Sequence, residues 1–375
     1  MADGHCDPRF SLVEMIFDEP FEAGTERGGS VAVVHDGELV VDLWAGDADS
    51  EGRPWTAETI VGLWSTTKTF TFLSVLVLAD RGLLGLDDTV ADHWPEFAAS
   101  GKEAVTVGQV MSHTSGLSGF DRRVGVIDLY DWEAVVSGLA AQPPWWEPGS
   151  RSGYHPVTQG FLLGEIVWRV DGRTVDQFFR DEIAGPAGAN CHIRLDDPVR
   201  PEIGELLPPP EVVDVTGLDP HSVAGRTVAN PRFTGTEPAT AEWRRALLPA
   251  AGGFGNARSV AQVLSPLALA GRSLDGRQLI SDATVGTAQQ VGSDGVDLIL
   301  EEHIRFGAGF SLPSPDAPFS PNPEALSWGG WGGSLVVIDP DQALLVAYVP
   351  NRMAPGGSED SRGQSLVDVA YAGVL

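Results

Sequence analysis

The chain has 375 residues, 42% of them hydrophobic and 8% aromatic, enough to bury a large core and more than one compact domain usually holds. Its formal charge of −28 repels nucleic acid and anionic membrane surfaces, so neither is expected as a partner. Cys6 and Cys191 form neither a disulfide framework nor a metal-type spacing.

In chain order, "MADGHCDPRF" lacks a basic stretch followed by an apolar core, and the longest apolar runs, such as "FLSVLVLA", are too short to span a bilayer. The expectation is a soluble, cytoplasmic protein. "DPRFSLVEMIFDEPF" has helical spacing at Phe10, Val13, Met15 and Phe17, with Pro20 expected to end the helix. "SVAVVHDGELVVDLWAG" places two β-branched runs on either side of Asp36-Gly37, which predicts a hairpin. "LWSTTKTFTFLSVLVLADRGLL" predicts a long buried helix from near Ser65 to about Gly82.

From 83 to about 230, prolines and glycines punctuate short helical patterns, among them "TVGQVMSHTSGL", "DWEAVVSGLAAQ", "VTQGFLLGEIVWRVDG" and "TVDQFFRDEIAG". "LLPPPEVVDVTGLDPHSVAG" predicts a surface excursion. Further on, "ARSVAQVLSPLALAG" predicts a helix, "IRFGAGFSL", "GSLVVID" and "ALLVAYVPN" predict short strands, and "SEDSRGQSLVDVAYAGVL" predicts a closing helix. Strands at both ends with helices between them predict an α+β fold. One antiparallel sheet is built from the two termini, a sheet-and-helix lobe of residues 1–82 and 230–375, with a mostly helical lobe of 83–229 and a cleft between them.

Lysine occurs only at positions 68 and 102, the other basic residues being arginines. A serine hydroxyl needs a base to become a nucleophile, and positions three apart on a helix share a face, so Ser65 and Lys68 can meet. A lysine amine pushed toward neutrality by apolar neighbours can take a proton; a guanidinium cannot. On this pair alone a second reading is equally open, in which Ser65 caps the helix and Lys68 reaches solvent. Other devices are missing: no G-x-S-x-G, no HExxH, no dinucleotide or Walker loop, so no metal or cofactor is expected.

Further stretches bear on the pair. "PGSRSGYHPVTQ" sets Tyr154 after a turn and before a helix, "VMSHTSGL" lies earlier, and "SWGGWGGSLVVIDPD" opens a strand with small residues. Together with "STTK", these resemble, in the right order over nearly the whole chain, the serine β-lactamase and penicillin-binding-protein superfamily, and within it the class C-like family VIII carboxylesterases. The resemblance implies Ser65 as nucleophile, Lys68 as its amine partner and Tyr154 as the tyrosine of the second motif. It places the third motif on Trp328-Gly329-Gly330 and the oxyanion hole on the N–H groups of Ser65 and Trp331. Trp146, with Trp145, and His155 are further candidates for the cleft, while His113 is expected to hold a turn.

Two departures set the expected substrate. Pro156 stands where the lactamase pattern has asparagine, and Trp328 stands where it has a cation, which favours an uncharged small-molecule ester over an anionic antibiotic. A β-lactamase, a D-amino-acid peptidase or amidase, and an acyltransferase would share Ser65, Lys68 and Tyr154 and remain alternatives. Oligomeric state has no signal in the sequence.

Overall fold

The computed structural model describes residues 1–209, 217–354 and 360–374. Its strands are β1 (Asp3–Cys6), β2 (Gly28–His35), β3 (Glu38–Gly46), β4 (Val61–Gly62) and β5 (Phe254–Gly255), followed by β6 (Ser293–Val296), β7 (His303–Phe306), β8 (Ser311–Leu312), β9 (Leu326–Gly329), β10 (Leu335–Asp339) and β11 (Leu344–Pro350). Among the described residues, β1–β3 and β6–β11 form one nine-stranded sheet in the order β1-β3-β2-β11-β10-β9-β8-β7-β6, antiparallel throughout. The two ends of the chain therefore meet at the β2–β11 pair in the middle of the sheet, where Leu344 lies opposite His35 and Pro350 opposite Gly29.

Between β2 and β3, Asp36 and Gly37 have φ of 51° and 82°, the two left-handed positions that a two-residue type I′ hairpin needs. Every residue of β2 is buried, because both faces of the sheet are covered. Val31 and Val33 face the helices Ser11–Glu22 and Arg362–Val374, in a layer with Phe10, Val13, Phe17, Leu366 and Val367. Ala32 and Val34 face the opposite way, into the layer that holds the Ala257–Ala268 helix.

The Lys68–Asp80 helix is buried from Lys68 to Leu78, as its all-round apolar text predicts. It packs against the helices Thr158–Asp171, Val175–Phe179 and Asp282–Gln289. Lys102, the other lysine, is also buried: its ammonium donates to the carbonyls of Ala99 (2.7 Å), Ala140 (2.9 Å) and Gln142 (2.6 Å). No helix among the described residues is long and apolar enough to cross a membrane.

Several expectations change. Pro20 does not end the first helix, which runs to Glu22; the proline carbonyl instead accepts the N–H groups of Thr25 and Glu26 as the chain turns away. Strand β1 has no apolar alternation and is held by its register on β3, from Asp3–Trp44 to Cys6–Val41. The proline-rich stretch is only in part a surface excursion. Leu206 and Pro209 are buried, Leu207 bridges to Arg352 beyond β11, and Val223–Val228 is a helix, while residues 210–216 lie outside the described residues.

Candidate active site

The short ribbon β4–β5 delivers the chain to Ser65. Val61 pairs with Gly255, Gly62 with Phe254, and the Leu63 N–H donates to the Gly253 carbonyl at 2.8 Å. A 3₁₀ turn, Trp64–Thr67, then precedes the Lys68–Asp80 helix, so Ser65 sits in a tight turn rather than inside the helix. Trp64 has φ of 47°, a strained region for an L residue with a bulky side chain. Its buried indole is clamped by Trp331 (ring centroids 4.9 Å apart), Trp243 (5.2 Å) and Phe233 (5.6 Å).

The sheet holds the same turn from the other side. The Trp328 indole N–H donates to the Ser65 carbonyl at 2.8 Å, and Ser334 Oγ bonds to the Leu63 carbonyl (3.2 Å) and Thr66 Oγ1 (2.9 Å). Gly330 passes so close that a Cβ there would overlap the Leu63 carbonyl oxygen, which is why this position needs glycine. Neither the Ser65 nor the Trp331 N–H has a hydrogen-bond acceptor among the described residues, and both residues border the same cleft.

Lys68 is 1% exposed. Its Nζ lies within hydrogen-bond distance of the Pro156 carbonyl (2.7 Å), the Ala250 carbonyl (3.0 Å), Tyr154 Oη (3.0 Å) and Ser65 Oγ (3.1 Å). Carbonyls only accept, so two N–H bonds are committed to Pro156 and Ala250. The remaining tetrahedral direction serves the two hydroxyls, as a third N–H or, in the neutral amine, as a lone pair. Burial with no carboxylate partner holds the amine well below its ordinary 10.5. Lys102 is different: three carbonyls occupy all three N–H bonds of an ammonium, with a pKa drawn down to about 8 by burial.

Tyr154 Oη donates to Ser65 Oγ at 2.7 Å. Burial holds its phenol above the ordinary 10.0; the Ser65 bond opposes this, and Asp297 adds a smaller upward push. With the amine neutral, the hydrogens run from Tyr154 to Ser65 and from Ser65 to Lys68, which presents the serine proton to a basic lone pair.

The cleft at Ser65 measures about 370 Å³. Leu300, Ile304, Phe306, Phe319 and Trp331 give it an apolar lining, and Glu302, Asp316 and Asp360 are its charged side chains, with no lysine or arginine among the lining residues. Asp360 is neutralised by Arg362 at 2.7 Å, whose other N–H bonds go to Glu26 and the carbonyls of Gly332 and Arg352.

A family model described as Beta-lactamase matches residues 14–371. The chain belongs to the β-lactamase family. It is 31% identical over 368 residues to "Esterase/beta-lactamase LipL" of Mycobacterium tuberculosis, across 93% of this chain and 83% of that protein. Two solved structures share its fold over nearly their whole length. A penicillin-binding-protein homolog from Caulobacter crescentus has 38% identity and a TM-score of 0.92 with full coverage of both chains. A family VIII carboxylesterase has 37% identity and a TM-score of 0.92 over 99% of each.

On this β-lactamase-family scaffold, Ser65, Lys68 and Tyr154 converge, and Trp328, Gly329, Gly330 and Trp331 border the cleft beside them. Two residues expected in the cleft are not among those that line it. His155 is 0% exposed, and its Nε2 accepts from Ser115 Oγ (2.8 Å) and the Leu117 N–H (3.3 Å), leaving Nδ1–H for the Gly153 carbonyl. Burial takes its pKa down to about 3, so it is neutral and structural. Trp146 packs edge-on against His155 and donates to the Arg151 carbonyl at 2.9 Å. Trp145 donates to Asp121 and carries Arg226 over its ring. Aromatic residues beside a glycine-containing turn do not reveal in sequence which side of the turn faces the cleft, and here Trp145 and Trp146 are not among its lining residues. His113 takes the His155 N–H on Nδ1 (3.0 Å) and holds the Gly153 N–H on its carbonyl (3.0 Å), fastening the segment that carries Tyr154.

Trp328 is 5% exposed and edges the cleft mainly as a brace for Ser65, packed among Phe72, Phe306 and His113. Trp64 and Asp297 had no sequence signal: the first is marked by a backbone angle, the second by a contact across 143 positions.

Proposed function

We propose that the protein is a serine carboxylesterase that cleaves small, uncharged esters through an acyl-enzyme on Ser65. The observation that carries the reading is the coordination of Lys68: two backbone carbonyls, no acid, and one remaining direction shared by Ser65 and Tyr154. The esterase names of the M. tuberculosis relative and the family VIII structure agree with it.

In the acylation step, Ser65 Oγ bonds to the ester carbonyl carbon while its proton passes to the Lys68 lone pair. The oxyanion is held by the N–H groups of Ser65 and Trp331, each contributing about 3 to 4 kcal/mol by comparison with other acyl-transfer enzymes. The C–O bond then breaks, the leaving alkoxide takes the Tyr154 proton, and Lys68 returns a proton to the tyrosine. Water repeats the sequence in reverse, giving up its proton to the Lys68–Tyr154 pair and releasing the acid and Ser65.

The charge of the cleft supports uncharged esters over β-lactams and D-peptides, whose carboxylate would meet Glu302 and Asp316 and no free cation among the lining residues. The test compares p-nitrophenyl butyrate with the p-nitrophenyl monoester of succinic acid and with a chromogenic cephalosporin. The neutral ester is expected to have the highest kcat/KM, by about tenfold or more over the anionic ester, equivalent to about 1.4 kcal/mol. Faster turnover of the cephalosporin would overturn the reading, and product partition toward an added alcohol would move it to acyl transfer.

A further inference from the structure

The loop between β6 and β7 carries a buried carboxylate that the acyl-transfer steps do not use. Asp297 is 1% exposed. Its Oδ1 accepts the N–H groups of Tyr154 (3.0 Å), Ile299 (2.8 Å) and Leu300 (3.0 Å), while Oδ2 is buried with no partner among the described residues. The neighbouring Leu298 N–H donates to the Ser152 carbonyl at 3.0 Å, so the loop is tied at two points to the segment that presents Tyr154. The same loop supplies Leu300 and Glu302 to the cleft.

A carboxylate with one oxygen uncompensated is costly to bury, and an amide would accept the same three N–H bonds without the charge. We propose that Asp297 is a positioning residue of the reaction: it fixes Tyr154 against Ser65 through the main chain, links that tyrosine to the cleft wall at Leu300, and keeps a buried negative charge at the base of the residue that joins Ser65 to Lys68. The inference rests on the acyl-transfer reading of Ser65, Lys68 and Tyr154. The buried titratable groups packed against the pair are His113 and His155, both held neutral by burial, while Glu302 and Asp316 border the open cleft. Asp297 is therefore the buried charge that acts on Tyr154. Its charge disfavours loss of the Tyr154 proton and, because the two groups share their protons, stabilises the protonated pair as a whole.

The test is Asp297→Asn, which keeps the shape and removes the charge, with Asp297→Ser as a second uncharged variant should the first not fold by circular dichroism. Two readouts are taken. One is the pH profile of kcat and KM with p-nitrophenyl butyrate. The other is the NMR titration of protein labelled with [¹³C]lysine, where Lys102 is an internal reference, since lysine occurs only at positions 68 and 102. The expected result is a kcat lower by roughly ten- to hundredfold with KM little changed. The acidic limb and the Lys68 resonance should both move down by about one pH unit while Lys102 stays in place. An Lys68 midpoint and acidic limb unchanged from the parent protein would overturn the proposal, whatever the loss of rate. The lysine titration does not depend on turnover, so an Lys68 shift in a protein whose Ser65→Ala variant still hydrolyses the ester would uphold the charge effect while rejecting Ser65 as nucleophile.

Discussion

Trp328 donates its indole N–H to the main-chain carbonyl of Ser65 at 2.8 Å, joining a sheet strand to the turn that carries Ser65 across 263 positions of sequence. The indole of Trp328 thus braces the chain's own backbone. Trp328→Phe keeps a ring in the cluster with Phe72 and Phe306 and removes only the donor. The expected loss is about 0.5 to 1.5 kcal/mol in urea unfolding, with kcat reduced more than KM is raised. A variant with parental kcat would show that the brace is dispensable.

The two glycines after Trp328 should respond oppositely. A Cβ on Gly330 would overlap the Leu63 carbonyl and Ser334 Oγ, whereas one on Gly329 would meet only the Ser334 carbonyl, at an ordinary 3.5 Å. Gly330→Ala is therefore expected to cost about 1 to 3 kcal/mol and most of the activity. Gly329→Ala should stay within about 0.5 kcal/mol of the parent, any effect appearing in KM. Thermal melts and steady-state kinetics on the pair decide it.

Lys68→Arg keeps a charge and loses the removable proton. It should fall with Lys68→Ala by about 10² to 10⁴ in kcat/KM. Lys102→Met provides the contrast: three buried carbonyls lose their charged donor, so stability should drop by roughly 1.5 to 3 kcal/mol with kcat of the folded enzyme unchanged. Near-parental rates for Lys68→Arg would remove Lys68 from the base role.

The pH dependence follows from the directions at the site. Lys68 must be unprotonated to accept the Ser65 proton, so kcat/KM should rise as pH rises through its depressed pKa, with a midpoint below the ordinary 10.5 of lysine. Tyr154 is held above 10.0, so its proton stays available and the alkaline decline should begin only above the ordinary phenol range. The buried histidines contribute no limb, because His155 titrates near 3 and His113 is pushed well below 6.5 by burial. A profile that declines between about pH 7 and 9 would contradict this and favour a charged lysine beside a phenolate.

The sheet's centre was legible in the sequence because local signals and burial agree there. Asp36-Gly37 has the two left-handed angles its hairpin demands, and β10 and β11 are apolar runs buried throughout. The i, i+3 spacing brought Ser65 and Lys68 together, whereas Tyr154 was singled out only by the resemblance of the motifs. What the sequence did not show depends on distant partners. Strand β1 is polar and glycine-containing and exists through its pairing with β3. Pro20 falls near the end of its helix, where one lost N–H bond is tolerated. His155 follows Tyr154 in sequence yet turns inward to Ser115 and Leu117, and Trp146 bonds locally to the Arg151 carbonyl; periodicity does not encode which side of a turn faces the cleft.

Hydrolysis by this route passes through a covalent intermediate on Ser65. The direct measurement is rapid-quench intact-mass spectrometry during turnover of p-nitrophenyl butyrate, followed by peptide mapping, with Ser65→Ala alongside. The expected result is a butyryl adduct on the peptide containing Ser65 that forms and decays at rates compatible with kcat, and neither adduct nor turnover in the variant. Turnover that survives Ser65→Ala, or an adduct mapped to another residue, would contradict it.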